Sequence, residues 1–266
     1  MSDPLFSVAD QIVLVSGGSR GIGRAIAAGF ADRGARVLIT GREQSTLVAT
    51  ASELSKTSTY PVEPWVCDVA KSQDIDQLVD AVVKKHARID TLVNVAGVNR
   101  RKPVLELTED DYDFVMDINL KGAFLVSRAV GRAMVQQRSG CQIQIASLNT
   151  DRPLTNVAPY AMSKAALSHM TRSLTLEWSP YGVRVNALAP GFILTDLTRK
   201  LWSDPTMQEW GRVNTPQRRL GTPEDMVGTA LFLATKAADF MTGQTLYVDG
   251  GFTAGWNWPI PGDGGQ

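Results

Sequence analysis

The chain has 266 residues, 44% hydrophobic and 20% charged, an ordinary globular balance that argues against disorder and fits one large domain or two small ones. Its 27 Lys+Arg match 27 Asp+Glu, which removes the broad electrostatic case for nucleic acid or anionic membrane partners. Two cysteines, Cys67 and Cys141, and two distant histidines, His86 and His169, leave no disulfide framework and no His-rich metal site.

The elements alternate along the chain. Residues 12–16 form a short apolar strand, followed by a glycine-rich turn and a helix over 21–34. Strand patterns recur at 36–40, 62–67, 89–94, 143–147, 183–189 and 244–248. Helical patterns lie between them at 43–56, 71–87, 108–138, 158–180 and 222–235. Seven short apolar strands between longer helices predict an α/β fold: one doubly wound Rossmann-type domain over 1–266, with parallel strands and helices on both faces. The stretch 190–220, rich in Pro and Trp, breaks the rhythm and is expected to be a lid. The Pro/Gly-rich tail, about 259–266, is expected to be flexible. No apolar run approaches a membrane span, and the N-terminus lacks a signal-peptide pattern, so a reducing cytoplasm is expected.

The turn after the first strand reads Ser16-Gly17-Gly18-Ser19-Arg20-Gly21-Ile22-Gly23. Glycines there allow positive φ and close backbone approach, and the helix start offers N–H groups and a positive dipole end to a pyrophosphate. The spacing is Gly-x-x-x-Gly-x-Gly, not the commoner G-x-G-x-x-G. The same residues match G-x-S-x-G, a hydrolase nucleophile elbow, but His169 falls mid-helix and gives such a triad no base.

Tyr160 and Lys164 stand four apart on a predicted helix and therefore share a face. A cation beside a phenol favours phenolate, which suits a general acid or base near neutral pH. Surface Tyr/Lys pairs have the same spacing, so context decides. Ser147 ends a strand thirteen residues upstream, where α/β sheets bind ligands. Asn94 ends another, and Asn119 puts an amide inside the long helix, against propensity.

Taken together with Cys67-Asp68-Val69, Asn94-x-Ala96-Gly97, Pro190-Gly191, Thr195 and the run 247–251 (Tyr-Val-Asp-Gly-Gly), the chain resembles the short-chain dehydrogenase/reductase family over essentially its full length. Ser16 and Val95 are mild departures, where the family usually has Thr and often has Asn. The resemblance implies that Tyr160 exchanges a proton with the substrate oxygen, Ser147 hydrogen-bonds that oxygen, Lys164 lowers the tyrosine pKa and binds the ribose, and Asn119 holds a water. It implies cofactor contacts from Gly17, Ser19, Arg20, Gly21, Ile22, Gly23, Asp68, Val69, Asn94, Ala96, Gly97, Pro190, Gly191, Ile193 and Thr195, and a homotetramer built on the long helices.

The second strand leads into Gly41-Arg42, with no acid where an NAD site usually places one. Arginine can grip a 2′-phosphate with its fork, so Arg42, aided by Arg20, points to NADP(H) over NAD(H). The expected partner is a small alcohol or carbonyl. Arg100, Asn149, Arg152, Phe192 and Trp202 are the expected substrate contacts, in a basic stretch (Arg100-Arg101-Lys102), a polar loop and the lid. The Arg-Arg-x-Pro stretch resembles gluconate 5-dehydrogenase and keto-deoxygluconate dehydrogenase members, which implies a sugar acid. A 3-oxoacyl-carrier-protein reductase and a non-catalytic nucleotide sensor are the alternatives.

Overall fold

The computed structural model describes residues 3–256. The expectation for the tail, about 259–266, lies outside those residues. Seven strands form one sheet in the order β3-β2-β1-β4-β5-β6-β7, all pairs parallel. They are β1 Ile12–Ser16, β2 Arg36–Gly41, β3 Glu63–Val66, β4 Thr91–Asn94, β5 Gly140–Ile145, β6 Val183–Pro190 and β7 Thr245–Val248. The order reverses between β1 and β4, which opens a crevice beyond their carboxyl ends.

The central strands are buried on both faces, which is why they read as continuous apolar runs. Alternate residues serve opposite layers. Val13, Val15, Val37 and Ile39 pack with α1 (Gly21–Ala31), α2 (Gln44–Leu54) and α9 (Val227–Ala234). Leu14, Leu38 and Leu92 pack with α3 (Ser72–His86), α5 (Ala123–Gln137) and α6 (Ala158–Trp178).

The predicted helix over 108–138 is not continuous. It divides into α4 (Glu109–Met116), a π-helical turn (Asp117–Gly122) and α5. Gly122 presses the turn onto the segment that follows β3: a Cβ there would lie 2.7 Å from the Val69 carbonyl oxygen. Within the stretch 190–220, α7 (Arg199–Trp202) and α8 (Pro205–Asn214) form, the latter capped by Asp204 accepting from the N–H groups of Thr206 and Met207.

Candidate active site

The glycine turn lies at the β1 side of the crevice. Gly17 has φ +78°, and a Cβ on it would sit 2.8 Å from the Ala96 nitrogen. Gly23 packs its α-carbon against the Gly17 carbonyl, with no room for a side chain. The first intrahelical bond of α1 runs from the Arg24 N–H to the Arg20 carbonyl, so the N–H groups of Gly21, Ile22 and Gly23 precede the helical ladder. This cradle fits a dinucleotide pyrophosphate at a helix N-terminus. Thr195 overlies Gly21, whose Cβ would be 3.5 Å from the Thr195 Cβ. Thr195, Leu194, Trp202 and Gly21 line a cavity of about 370 Å³ between lid and turn. Ile193 is stitched to Gly221 on its far side. Gly191 passes so close to Asp249 that a Cβ would fall 2.5 Å from its Cα, which fixes the start of the lid.

Across the crevice, Tyr160 and Lys164 lie in the first turns of α6 and share a face, with the lysine Nζ 5.6 Å from the centre of the phenol ring. Lys164 is buried and donates to the Ile145 carbonyl at 2.6 Å. Burial alone pushes its pKa down to about 8. Burial raises the Tyr160 pKa above its ordinary value, opposed by a hydrogen bond from Ser147 and by the charge of Arg101. Ser147 lies two residues beyond β5 and starts a 3-10 turn over 148–150. In that turn its Oγ accepts from the Asn149 backbone N–H and side-chain amide.

Asn119 lies in the π turn, fully buried. Its Nδ2 donates to the Val98 carbonyl (2.9 Å) and the Ser163 hydroxyl (3.1 Å), and its Oδ1 accepts from the Val98 N–H (2.8 Å). The amide expected to hold a water therefore ties the β4 loop to α6 through protein groups. A Cβ on Gly97 would lie 3.4 Å from Asn119 Oδ1 and 3.7 Å from Lys164 Nζ, so Gly97 keeps that corner open. Asn94, expected along the ribose, donates its amide to the Ala123 carbonyl and braces β4 against α5. Asp68 uses Oδ1 to accept from the Ala70 N–H and shapes the turn after β3.

The residues expected to meet substrate have these partners within the protein. Arg100 is held by Asp111 at 2.5 Å and covers the Phe114 ring at 4.4 Å. Lys102 reaches the other Asp111 oxygen at 2.6 Å. Asp111 is itself buried, caps α4 through Thr108, and is held well below the usual carboxylate range by the two cations, Lys102 first. Of the three neighbouring cations, it is Arg101 whose charge acts on Tyr160. Asn149 bonds to Ser147 and to the Leu154 N–H. Arg152 ties its own N–H to the Leu148 carbonyl. Phe192 and Trp202 are buried and pack edge-to-face at 5.3 Å, with Phe192 also against Trp210 and Phe252. With Leu148 they form the buried centre of a small apolar cluster. Asp111 went unremarked in the sequence, although Thr108-x-x-Asp111 carries the spacing of a capping box.

The hydrolase alternative fails on geometry: Ser19 follows β1, beside Gly41, whereas His169 sits inside α6.

A family model described as enoyl-(acyl carrier protein) reductase matches residues 17–253. Gluconate 5-dehydrogenase of Gluconobacter oxydans is 36% identical over 258 residues, 95% of this chain and 99% of that one. A 3-oxoacyl-[acyl-carrier-protein] reductase of Synechocystis is 39% identical over 243 residues, covering 91% of this chain and 96% of that one. A crystal structure of gluconate 5-dehydrogenase from Burkholderia cenocepacia, in complex with NADP and tartrate, superposes with a TM-score of 0.91 at 35% identity, covering 95% of this chain and 98% of that one. The chain belongs to the short-chain dehydrogenase/reductase family and is an oxidoreductase acting on CH–OH groups with a nicotinamide cofactor.

Proposed function

We propose that the protein is an NADP(H)-dependent dehydrogenase of a sugar acid, interconverting a gluconate-like hydroxy acid and its keto acid. The observation that carries the reading is the division of the three cations: Arg100 and Lys102 are engaged by Asp111, while Arg101 is exposed and its charge acts on Tyr160. A carboxylate bound there by a guanidinium fork would place a nearby hydroxyl or carbonyl at the phenol. The nicotinamide supplies or accepts the hydride. Tyr160 gives its proton to the substrate oxygen in reduction and takes it in oxidation, and Ser147 donates a hydrogen bond to that oxygen. Lys164, close to Gly97 and the Ile145 carbonyl, would meet the ribose and pass protons along that edge.

The NADP(H) preference is supported by two exposed guanidiniums at one spot. Arg42 follows Gly41, and Gly41 lies beside Ser19, next to Arg20. The test is nicotinamide absorbance with D-gluconate and NADP⁺, then NAD⁺, and with 5-keto-D-gluconate in reverse. We expect turnover to favour NADP⁺ by about tenfold or more, and Arg42→Asp to reverse the ratio. Equal use of both cofactors by the parent and by Arg42→Asp would remove the phosphate reading. The relative of 39% identity favours a second reading, reduction of a 3-oxoacyl thioester. Turnover of acetoacetyl thioester with none of gluconate would select it.

Two further expectations belong to the proposal. Leu105, Phe124 and Leu176 are large exposed apolar side chains on and around α4, α5 and α6. They support a homotetramer built on these helices, which light scattering would read directly. Both cysteines are buried and unpaired, in keeping with a reducing cytoplasm.

A further inference from the structure

We propose that Asn149 is a positioning residue that fixes the direction of the Ser147 proton. A serine hydroxyl has one proton to donate and two lone pairs with which to accept. Ser147 Oγ accepts from the Asn149 backbone N–H at 3.1 Å and from the Asn149 side-chain Nδ2 at 3.3 Å. Both lone pairs are thereby filled, and the O–H is left to donate to the Tyr160 phenol and the substrate oxygen beside it.

The orientation of the Asn149 amide is itself fixed. Its Oδ1 accepts from the Leu154 N–H at 3.1 Å. Turning the amide over would set its NH₂ against that N–H, donor against donor, and would offer its carbonyl oxygen to the serine proton. Asn149 is buried, so water does not readily replace either bond. The loop thus holds Ser147 as a donor whatever the substrate, which separates this inference from the sugar-acid reading.

Asn149→Asp provides the test. The carboxylate has the same shape and can still accept from the Leu154 N–H, so a merely structural role survives the change. It can also accept the Ser147 proton and draw it away from Tyr160. The experiment is a double-mutant cycle with Ser147→Ala. Rates are read with NADPH on 5-keto-D-gluconate and on ethyl acetoacetate, a neutral probe outside the sugar-acid reading. In the parent enzyme Ser147→Ala is expected to lower kcat by about tenfold or more. In the Asn149→Asp background it is expected to cost less than about twofold. Tyr160→Phe must still remove turnover in that background, with NADPH affinity and Tm near the parent values, which separates a redirected proton from a collapsed site. An equal cost of Ser147→Ala in both backgrounds overturns the proposal. Should Asn149→Asp not fold, Asn149→Ala enters the same cycle, and there too an undiminished cost overturns it.

Discussion

The two walls of the crevice are built by different means. The cofactor wall is backbone: a turn of glycines with no room for a Cβ at Gly17 or Gly23, and the first N–H groups of α1. The wall proposed to meet substrate is side chains from distant segments: Asp111 holding Arg100 and Lys102, Asn119 bonding Val98 and Ser163, Asn149 bonding Ser147 and Leu154. A backbone wall tolerates few substitutions and serves a ligand that is common to many relatives. A side-chain wall can be rearranged one pair at a time, so it can change substrate without disturbing the cofactor.

This contrast breaks most sharply at Tyr160, the group that faces both walls. Tyr160→Phe should keep NADPH affinity within about twofold while turnover falls by roughly 10³-fold. Wild-type-like turnover in that variant would refute the assignment of the acid.

Lys164 gives the next largest effect, and one that needs no substrate. Its folded pKa of about 8 lies below its ordinary value of 10.5. Below pH 8 both folded and unfolded chains carry the proton, so this group adds no pH dependence. Between pH 8 and 10.5 the unfolded chain retains a proton that the folded chain has released, and stability from this group rises with pH. Chemical denaturation of the ligand-free protein should show the parent gaining roughly 3 kcal/mol at most on Lys164→Met across that window. A constant difference between the two proteins from pH 7 to 10.5 would mean that burial does not depress this lysine.

The smallest effects sharpen the comparison within the substrate wall. Arg101→Gln should raise KM for 5-keto-D-gluconate by about tenfold with little change for a neutral ketone. Arg100→Gln should change KM by less than about threefold, because Arg100 serves Asp111 and Phe114. The reverse ranking would place the substrate carboxylate at Arg100 and displace the proposed reading.

Much of the acid–base set was legible in the chain because it is local. Tyr160 and Lys164 share a helix face by spacing alone, and Ser147 follows the end of a strand. The sheet was legible for a similar reason, since strands buried on both faces must be apolar throughout. Strand β5 is the exception. Its alternation Cys141-Gln142-Ile143-Gln144-Ile145 has the look of a half-exposed strand, yet both glutamines are fully buried and donate to the carbonyl and hydroxyl of Ser127 on α5. The partner is fifteen or more residues away and no periodicity announces it.

By itself, then, the sequence determined the strand–helix alternation, the glycine turn and the shared helix face of Tyr160 and Lys164. Each depends on interactions within a few residues, or on a solvent contrast that repeats along the chain. Tertiary structure alone decided which of three adjacent cations are tied to Asp111, that Lys164 is buried against β5, and where the Ser147 proton points. Those depend on Asp111, on burial against β5, and on Asn149 locked to Leu154. Charge, desolvation and hydrogen-bond direction are set by neighbours in space, and a linear pattern does not carry them.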